Sequence, residues 1–224
     1  MNSRYGIIFD LDGTLLNTLE DLADSVNSVL ERRGWPTHPV DAYRHFVGSG
    51  MPMLVRRAVP REVMDREEVE KCIQEVRGEY SRRWAIKTAP YPGIQKALEG
   101  LSRKGCAMAV LSNKPQEATV DVVRHFFPDG LFTIVRGALP DRPIKPDPDS
   151  ALEIAGELGF EPSRMYFLGD SNVDMLTAGS AGMTGLGAAW GFRGKEELLQ
   201  AGASYIIEQP LDLLKFFKAD RTVI

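Results

Sequence analysis

Two carboxylates, Asp10 and Asp12, follow the apolar run Ile7-Ile8-Phe9 directly, and Gly13, Thr14 and Leu15 come next. In a fully extended chain residues i and i+2 point the same way, so the pair would share a face. Structure rarely asks for two acids side by side at a strand end. Chemistry does: one carboxylate attacks, the other handles protons, and a hard cation keeps the first ionised. Two further polar groups stand after apolar runs in the same way, and a third lies in a loop. Ser112-Asn113-Lys114 follows Val110-Leu111, Gly169-Asp170-Ser171 follows Phe167-Leu168, and Lys145 sits in the proline-rich string 144–148.

The elements that must position these groups read as an alternation of strands and helices. Strands are expected at 5–9, 106–111, 132–135, 165–168, 184–188 and 205–207. Helices are expected at 94–104, 115–126, 149–158 and 173–181, with one more near the end of the chain. Such alternation predicts an α/β fold, Rossmann-like, with a mostly parallel, doubly wound sheet covered on both faces. Between 16 and 84 the pattern is different. Helical spacing dominates there, from Leu19, Leu22, Val26 and Val29 to the charged stretch 67–84, and no strand is expected. A helical cap, 16–84, therefore interrupts a core domain made of 1–15 and 85–224. Ligands in open α/β sheets bind at the carboxyl ends of the strands, where every one of the polar groups falls.

Together these groups suit phosphoryl transfer. Asp10 is the candidate nucleophile, and Asp12 protonates the leaving oxygen and then deprotonates water. Asp10 and Asp170 are carboxylate ligands for Mg²⁺. Asp174, one helical turn after Asp170, suits a supporting role on the metal or on a lysine. Ser112 and Lys145 hold the phosphate oxygens, with Thr14 and Asn113 as further substrate-binding candidates. Plainer readings exist for each. An Asp-x-Asp-Gly string alone is a common solvated turn, Ser112-Asn113 ahead of Pro115 suits a helix cap, Lys145 taken locally is a loop lysine, and Lys114 is expected at the surface. The order of the groups along the chain favours the chemical reading.

The same strings carry a family resemblance. D-x-D-G-T-L at 10–15, L-S-N at 111–113, K-P-D-P at 145–148 and G-D-S-x-x-D at 169–174 resemble the four motifs of haloacid dehalogenase-like phosphatases. The insert matches the position of that family's helical cap, which would act as a lid. The string F-V-G-S-G-M at 46–51 and the opening N-T-L-E-D-L-A-D-S-V resemble phosphoglycolate phosphatases in particular. The resemblance implies Mg²⁺ dependence and a small anionic phosphate ester. The metal would be held by the Asp10 side chain, the Asp12 backbone carbonyl and Asp170. In the cap, Gly48 would let a loop approach the substrate, and Arg56 or Arg57 would meet a substrate carboxylate. Inorganic pyrophosphatases and sugar-phosphate mutases of the beta-phosphoglucomutase kind use the same core, and a non-catalytic binding module is the remotest reading.

Composition agrees with a soluble enzyme. The 224 residues are 43% hydrophobic and 26% charged, with a net charge of −4 that offers no basic field for nucleic acid. No stretch approaches the roughly 20 apolar residues of a membrane span, and the run at 7–9 is too short for a secretory signal. Cys72 and Cys106 fit no metal or redox spacing. His38, His45 and His125 are scattered, and Met51, Met53 and Met64 read as cap core or loop contacts. The expected setting is the cytoplasm, as a monomer or homodimer acting on a small molecule, with neither nucleic acid nor membrane as partner.

Overall fold

The apolar runs at the centre of the pattern become neighbouring strands of one parallel sheet. A computed structural model describes residues 5–63 and 65–217. Its strands are β1 (Gly6–Phe9), β2 (Leu16–Asn17), β3 (Ala89–Pro90), β4 (Ala107–Pro115), β5 (Ile134–Ala138), β6 (Met165–Gly169), β7 (Thr184–Ala188) and β8 (Tyr205–Ile207). Its helices are α1 (Leu19–Arg32), α2 (Tyr43–Phe46), α3 (Gly50–Ala58), α4 (Arg66–Arg83), α5 (Ile94–Arg103), α6 (Gln116–Phe126), α7 (Asp149–Leu158), α8 (Asn172–Ser180) and α9 (Lys195–Gln200). The chain divides into two compact units, one running up to Leu15 and onward from Pro90, the other Leu16–Ala89.

In the first unit six strands lie in the order β5-β4-β1-β6-β7-β8, all pairs parallel. This is a doubly wound order, and the chain reverses direction of build beside β1. Strand β1 is central, so both its faces are covered, and Ile7, Ile8 and Phe9 are fully buried. Ile8 packs with Ala109, Leu111 and Phe167 against Ile154 of α7 and Ala178 of α8. Phe9, pointing to the opposite face, meets Phe132 edge-on. Several expected edges move for local reasons. Phe132 leaves the expected strand at 132–135 to fill that aromatic cluster, so β5 starts at Ile134. Strand β4 continues beyond Leu111 through Pro115, and the last helix is a 3₁₀ segment, Pro210–Lys215.

In the second unit α1 packs along α4, and α3 packs on α4 as well. The expected absence of strands before residue 84 is corrected by β2, which pairs with β3 in a two-stranded sheet. Asn27 on α1 is the unit's polar anchor. Its side chain accepts from the buried Tyr43 hydroxyl at 2.7 Å and bonds both backbone groups of His38. Arg33 is gripped by Glu68 and Glu75 of α4. Met51 is half-buried and Met53 exposed on α3, and Met64 lies outside the described residues. Lys71 pairs with Glu67 on an exposed helix face. Among the described residues, no helix is long and apolar enough to cross a membrane.

Asp21 on α1 ties down the end of this unit. Its buried carboxylate accepts from the Lys87 and Thr88 backbone N–H groups and the Thr88 hydroxyl, at 2.7–3.0 Å. Replacing it leaves those donors without their acceptor, so Asp21→Ala is expected to cost about 3 kcal/mol. Urea denaturation of the variant beside the wild type measures the loss.

Candidate active site

The chain turns after β1, with Asp10 and Asp12 at the start of the turn. Leu15 N–H bonds back to Leu11 C=O at 3.0 Å, and Gly13 makes the turn with φ of +92°. The two acids consequently meet different lysines. Lys145 Nζ lies 2.8 Å from Asp10 Oδ1 and 2.6 Å from Asp174 Oδ1. Lys114 Nζ lies 3.0 and 2.9 Å from the two oxygens of Asp12. Asp10 Oδ1 also accepts from Leu11 N–H at 2.7 Å, so the contacts made by the described residues fall on this oxygen and leave Oδ2 open.

Each expected residue of the core has a definite place. Asp170 directly follows β6 and is 1% exposed. It accepts from the Thr14 hydroxyl at 3.0 Å and from Phe192 N–H at 2.7 Å. Thr14, expected to bind substrate, is fully buried and serves Asp170 instead. Asn113 likewise serves a neighbour: its side chain brackets the backbone of Lys145, accepting from N–H at 2.9 Å and donating to C=O at 3.0 Å. Asp174 is fully buried. One of its oxygens completes a capping box with Ser171 at the start of α8, and the other holds Lys145. Ser112 Oγ accepts from Lys114 N–H at 3.2 Å, and a hydroxyl that accepts can still donate. The helix-cap reading of Ser112-Asn113 does not hold, because α6 has Pro115 at its start and no side-chain cap.

Lys114 is the main surprise. Expected at the surface, it is buried, because β4 shifts register against β5 between Leu111 and Pro115. Such an irregularity re-aims side chains. The loop after β7 is a second contributor. Trp190 Nε1 donates to Thr14 C=O at 2.9 Å, and a Cβ on Gly191 would lie 2.1 Å from Asp170 Cβ. In the second unit, Gly48 adopts φ of +117°, Arg57 donates to Phe46 C=O at 2.9 Å, and Arg56 is exposed.

The electrostatics call for a cation. Asp10, Asp170 and Asp174 each present an oxygen within 4.8 Å of the others, against the one ammonium of Lys145. When all are ionised, two negative charges stay uncompensated, and an all-oxygen donor set of that charge suits a hard divalent ion. Burial, then the neighbouring Asp174, pushes the Asp10 carboxyl well above the usual range. The same two causes push Asp170 up to about 7, moderated by its two donors. For Lys145, burial disfavours the charge, but Asp10 and Asp174 outweigh it and hold the ammonium protonated well above the ordinary lysine range.

These shifts set a pH dependence. Unfolded carboxylates titrate near pH 4, whereas folded Asp10 and Asp170 keep their protons longer. Without metal, the folded state therefore binds more protons, and stability falls as pH rises from about 4 through about 7. A divalent ion needs both groups ionised and relieves their repulsion, so its stabilising effect grows over the same window. MgCl₂ is expected to raise Tm by several degrees at about pH 8 and much less at about pH 5.5. Gly191→Ala, by displacing Asp170, should shrink the rise at the higher pH. Thermal unfolding with and without the ion checks both, and an equal rise at the two pH values would contradict the assignment.

Comparison with known proteins agrees with this geometry. The family model for haloacid dehalogenase-like hydrolases matches residues 7–188. The phosphoglycolate phosphatase of Haemophilus influenzae is 32% identical over 221 residues, 96% of this chain and 99% of that protein. That of Mannheimia succiniciproducens is 33% identical over 222 residues, again 96% and 99%. A solved structure from Lactobacillus delbrueckii subsp. bulgaricus, provisionally named phosphoglycolate phosphatase, matches with TM-score 0.90 and 30% identity, covering 97% of this chain and 100% of that one. One from Thermotoga maritima, provisionally named beta-phosphoglucomutase, matches with TM-score 0.73 and 25% identity, over 95% and 97%. With a match of that length over the residues that build the site, the chain belongs to the haloacid dehalogenase-like hydrolase family.

Proposed function

We propose that this phosphatase hydrolyses a small phosphate monoester, with 2-phosphoglycolate as its substrate, through an aspartyl-phosphate on Asp10. The observation that carries the reading is the buried Asp10–Lys145–Asp174 chain with Asp170 beside it. It pairs a nucleophile with a fixed cation and leaves a charge deficit that suits Mg²⁺. The substrate follows from the relatives' names together with the cap strings at 17–26 and 46–51.

The oxygen of Asp10 that Leu11 and Lys145 leave uncommitted attacks phosphorus. As the bond to the leaving alcohol breaks, Asp12 gives that oxygen its proton. Asp12 then takes a proton from water, which attacks the same phosphorus and restores Asp10. Lys145 and the Ser112 hydroxyl hold the non-bridging oxygens, where charge redistributes in the transition state. Mg²⁺, held by Asp10, Asp170 and the Asp12 carbonyl with Asp174 in support, would supply charge neutralisation on the phosphoryl group. Gly48 and Arg56 of the inserted unit are proposed to meet the remainder of the substrate.

The test is phosphate release with Mg²⁺ from 2-phosphoglycolate, pyrophosphate, several sugar phosphates and an aryl phosphate. 2-Phosphoglycolate is expected to give the highest kcat/KM, and Asp10→Asn to reduce turnover at least about a thousandfold. Turnover that survives Asp10→Asn would overturn the mechanism. Preference for pyrophosphate, or phosphoryl return to a sugar, would assign the core to the pyrophosphatase or mutase reading.

A further inference from the structure

We propose that Lys114 is the cation that binds a carboxylate on the leaving group, and so selects anionic esters from within the core unit. The inference rests on the phosphatase reading above and adds a residue to it. Lys114 is a buried lysine with 6% of its side chain exposed, and burying an ammonium is costly unless a fixed anion meets it. Its backbone is pinned on both sides, N–H to Ser112 Oγ at 3.2 Å and C=O accepting from Thr119 Oγ1 at 3.0 Å. Position 114 therefore stays where the register shift of β4 places it.

That place is on the leaving-group side. Asp12 must come within hydrogen-bond reach of the bridging oxygen to protonate it. Lys114 Nζ sits 2.9 Å from Asp12, so its reach extends to whatever the bridging oxygen carries. In 2-phosphoglycolate a carboxylate stands one methylene beyond that oxygen. The ammonium groups of Lys145 and Lys114 are thereby divided. Lys145 is committed to Asp10 and Asp174 on the phosphoryl side, and Lys114 to the other. Charge balance supports the exchange. While Asp12 carries the proton it delivers it is neutral, and its charge pairing with Lys114 is weakened. A leaving group that brings its own carboxylate restores the pair, and a neutral alcohol does not.

The experiment compares 2-phosphoglycolate with 2-hydroxyethyl phosphate, which replaces the carboxylate by a neutral hydroxymethyl group. It uses the Mg²⁺-loaded full chain as wild type, Lys114→Gln and Lys114→Arg. Glutamine removes the charge but can still donate to Asp12, and arginine keeps the charge. The wild type is expected to favour the anionic ester. Lys114→Gln should lose about ten- to a hundredfold of that kcat/KM ratio, mostly through KM, and Lys114→Arg should recover most of it. If the glutamine variant does not fold, Lys114→Met gives the same reading. The two proposals fail separately. If 2-phosphoglycolate is not the best ester of the panel yet its advantage over 2-hydroxyethyl phosphate disappears in Lys114→Gln, Lys114 stands and the substrate falls. If 2-phosphoglycolate is best and its advantage survives the substitution, the substrate stands and Lys114 is overturned. An equal loss on both esters reduces Lys114 to a positioner of Asp12, and no wild-type preference overturns both proposals.

Discussion

The buried contact of Lys145 with Asp10 and Asp174 is the interaction on which the rest of the site depends. An ammonium taken out of water needs fixed partners, and three carboxylates drawn together need a counter-charge. Neither side tolerates the fold without the other, so the surrounding structure is spent on holding this junction. Asn113 brackets the Lys145 backbone, Ser171 engages Asp174, and Thr14 with Phe192 holds Asp170. The remaining imbalance of negative charge is what a divalent cation would settle, so metal binding and the protonation state of the site are two aspects of one electrostatic constraint.

Close backbone approach is the second requirement. Asp170 sits between Gly13 and Gly191, at each of which a Cβ would fall within about 2.5 Å of its side chain. Glycine at these points lets the turn after β1 and the loop after β7 close around one carboxylate. Trp190 fastens the same loop to the carbonyl of Thr14. The aromatics at 190–192 thus contribute more than packing: one indole and one backbone N–H define where Asp170 stands. The inserted unit carries polar clamps of its own, the buried Asp21 on the 87–88 segment and the half-buried Asn27 on His38 and Tyr43, each with its partners in place.

Much of this was legible in the chain before folding. Parallel strands covered on both faces must be apolar throughout, so Ile7-Ile8-Phe9 and Tyr166-Phe167-Leu168 announced themselves, and the switch to helical spacing after Thr14 announced an insert. Strand ends in such a sheet gather on one edge, so Asp10, Lys145, Asp170 and Asp174 could be grouped from their order alone. Edges were less legible. The expected boundary after residue 84 falls after Ala89 in the structure, because the segment at 85–89 has no periodicity of its own and is held by Asp21, a contact made across 66 residues.

What only the tertiary structure decided is which way the short polar residues face. Thr14 and Asn113 read equally well as substrate contacts, and local sequence holds nothing to say that one serves Asp170 and the other the Lys145 backbone. Lys114 looks like a surface lysine beside a helix start until a register shift between two strands turns it inward to Asp12. Residue types and their spacing determined the fold class, the family and the grouping of Asp10, Lys145, Asp170 and Asp174, since these follow from periodicity and order along the chain. Partner choice follows from long-range geometry, from a bulge in one strand and a glycine in a distant loop, and it existed only once the sheet had closed.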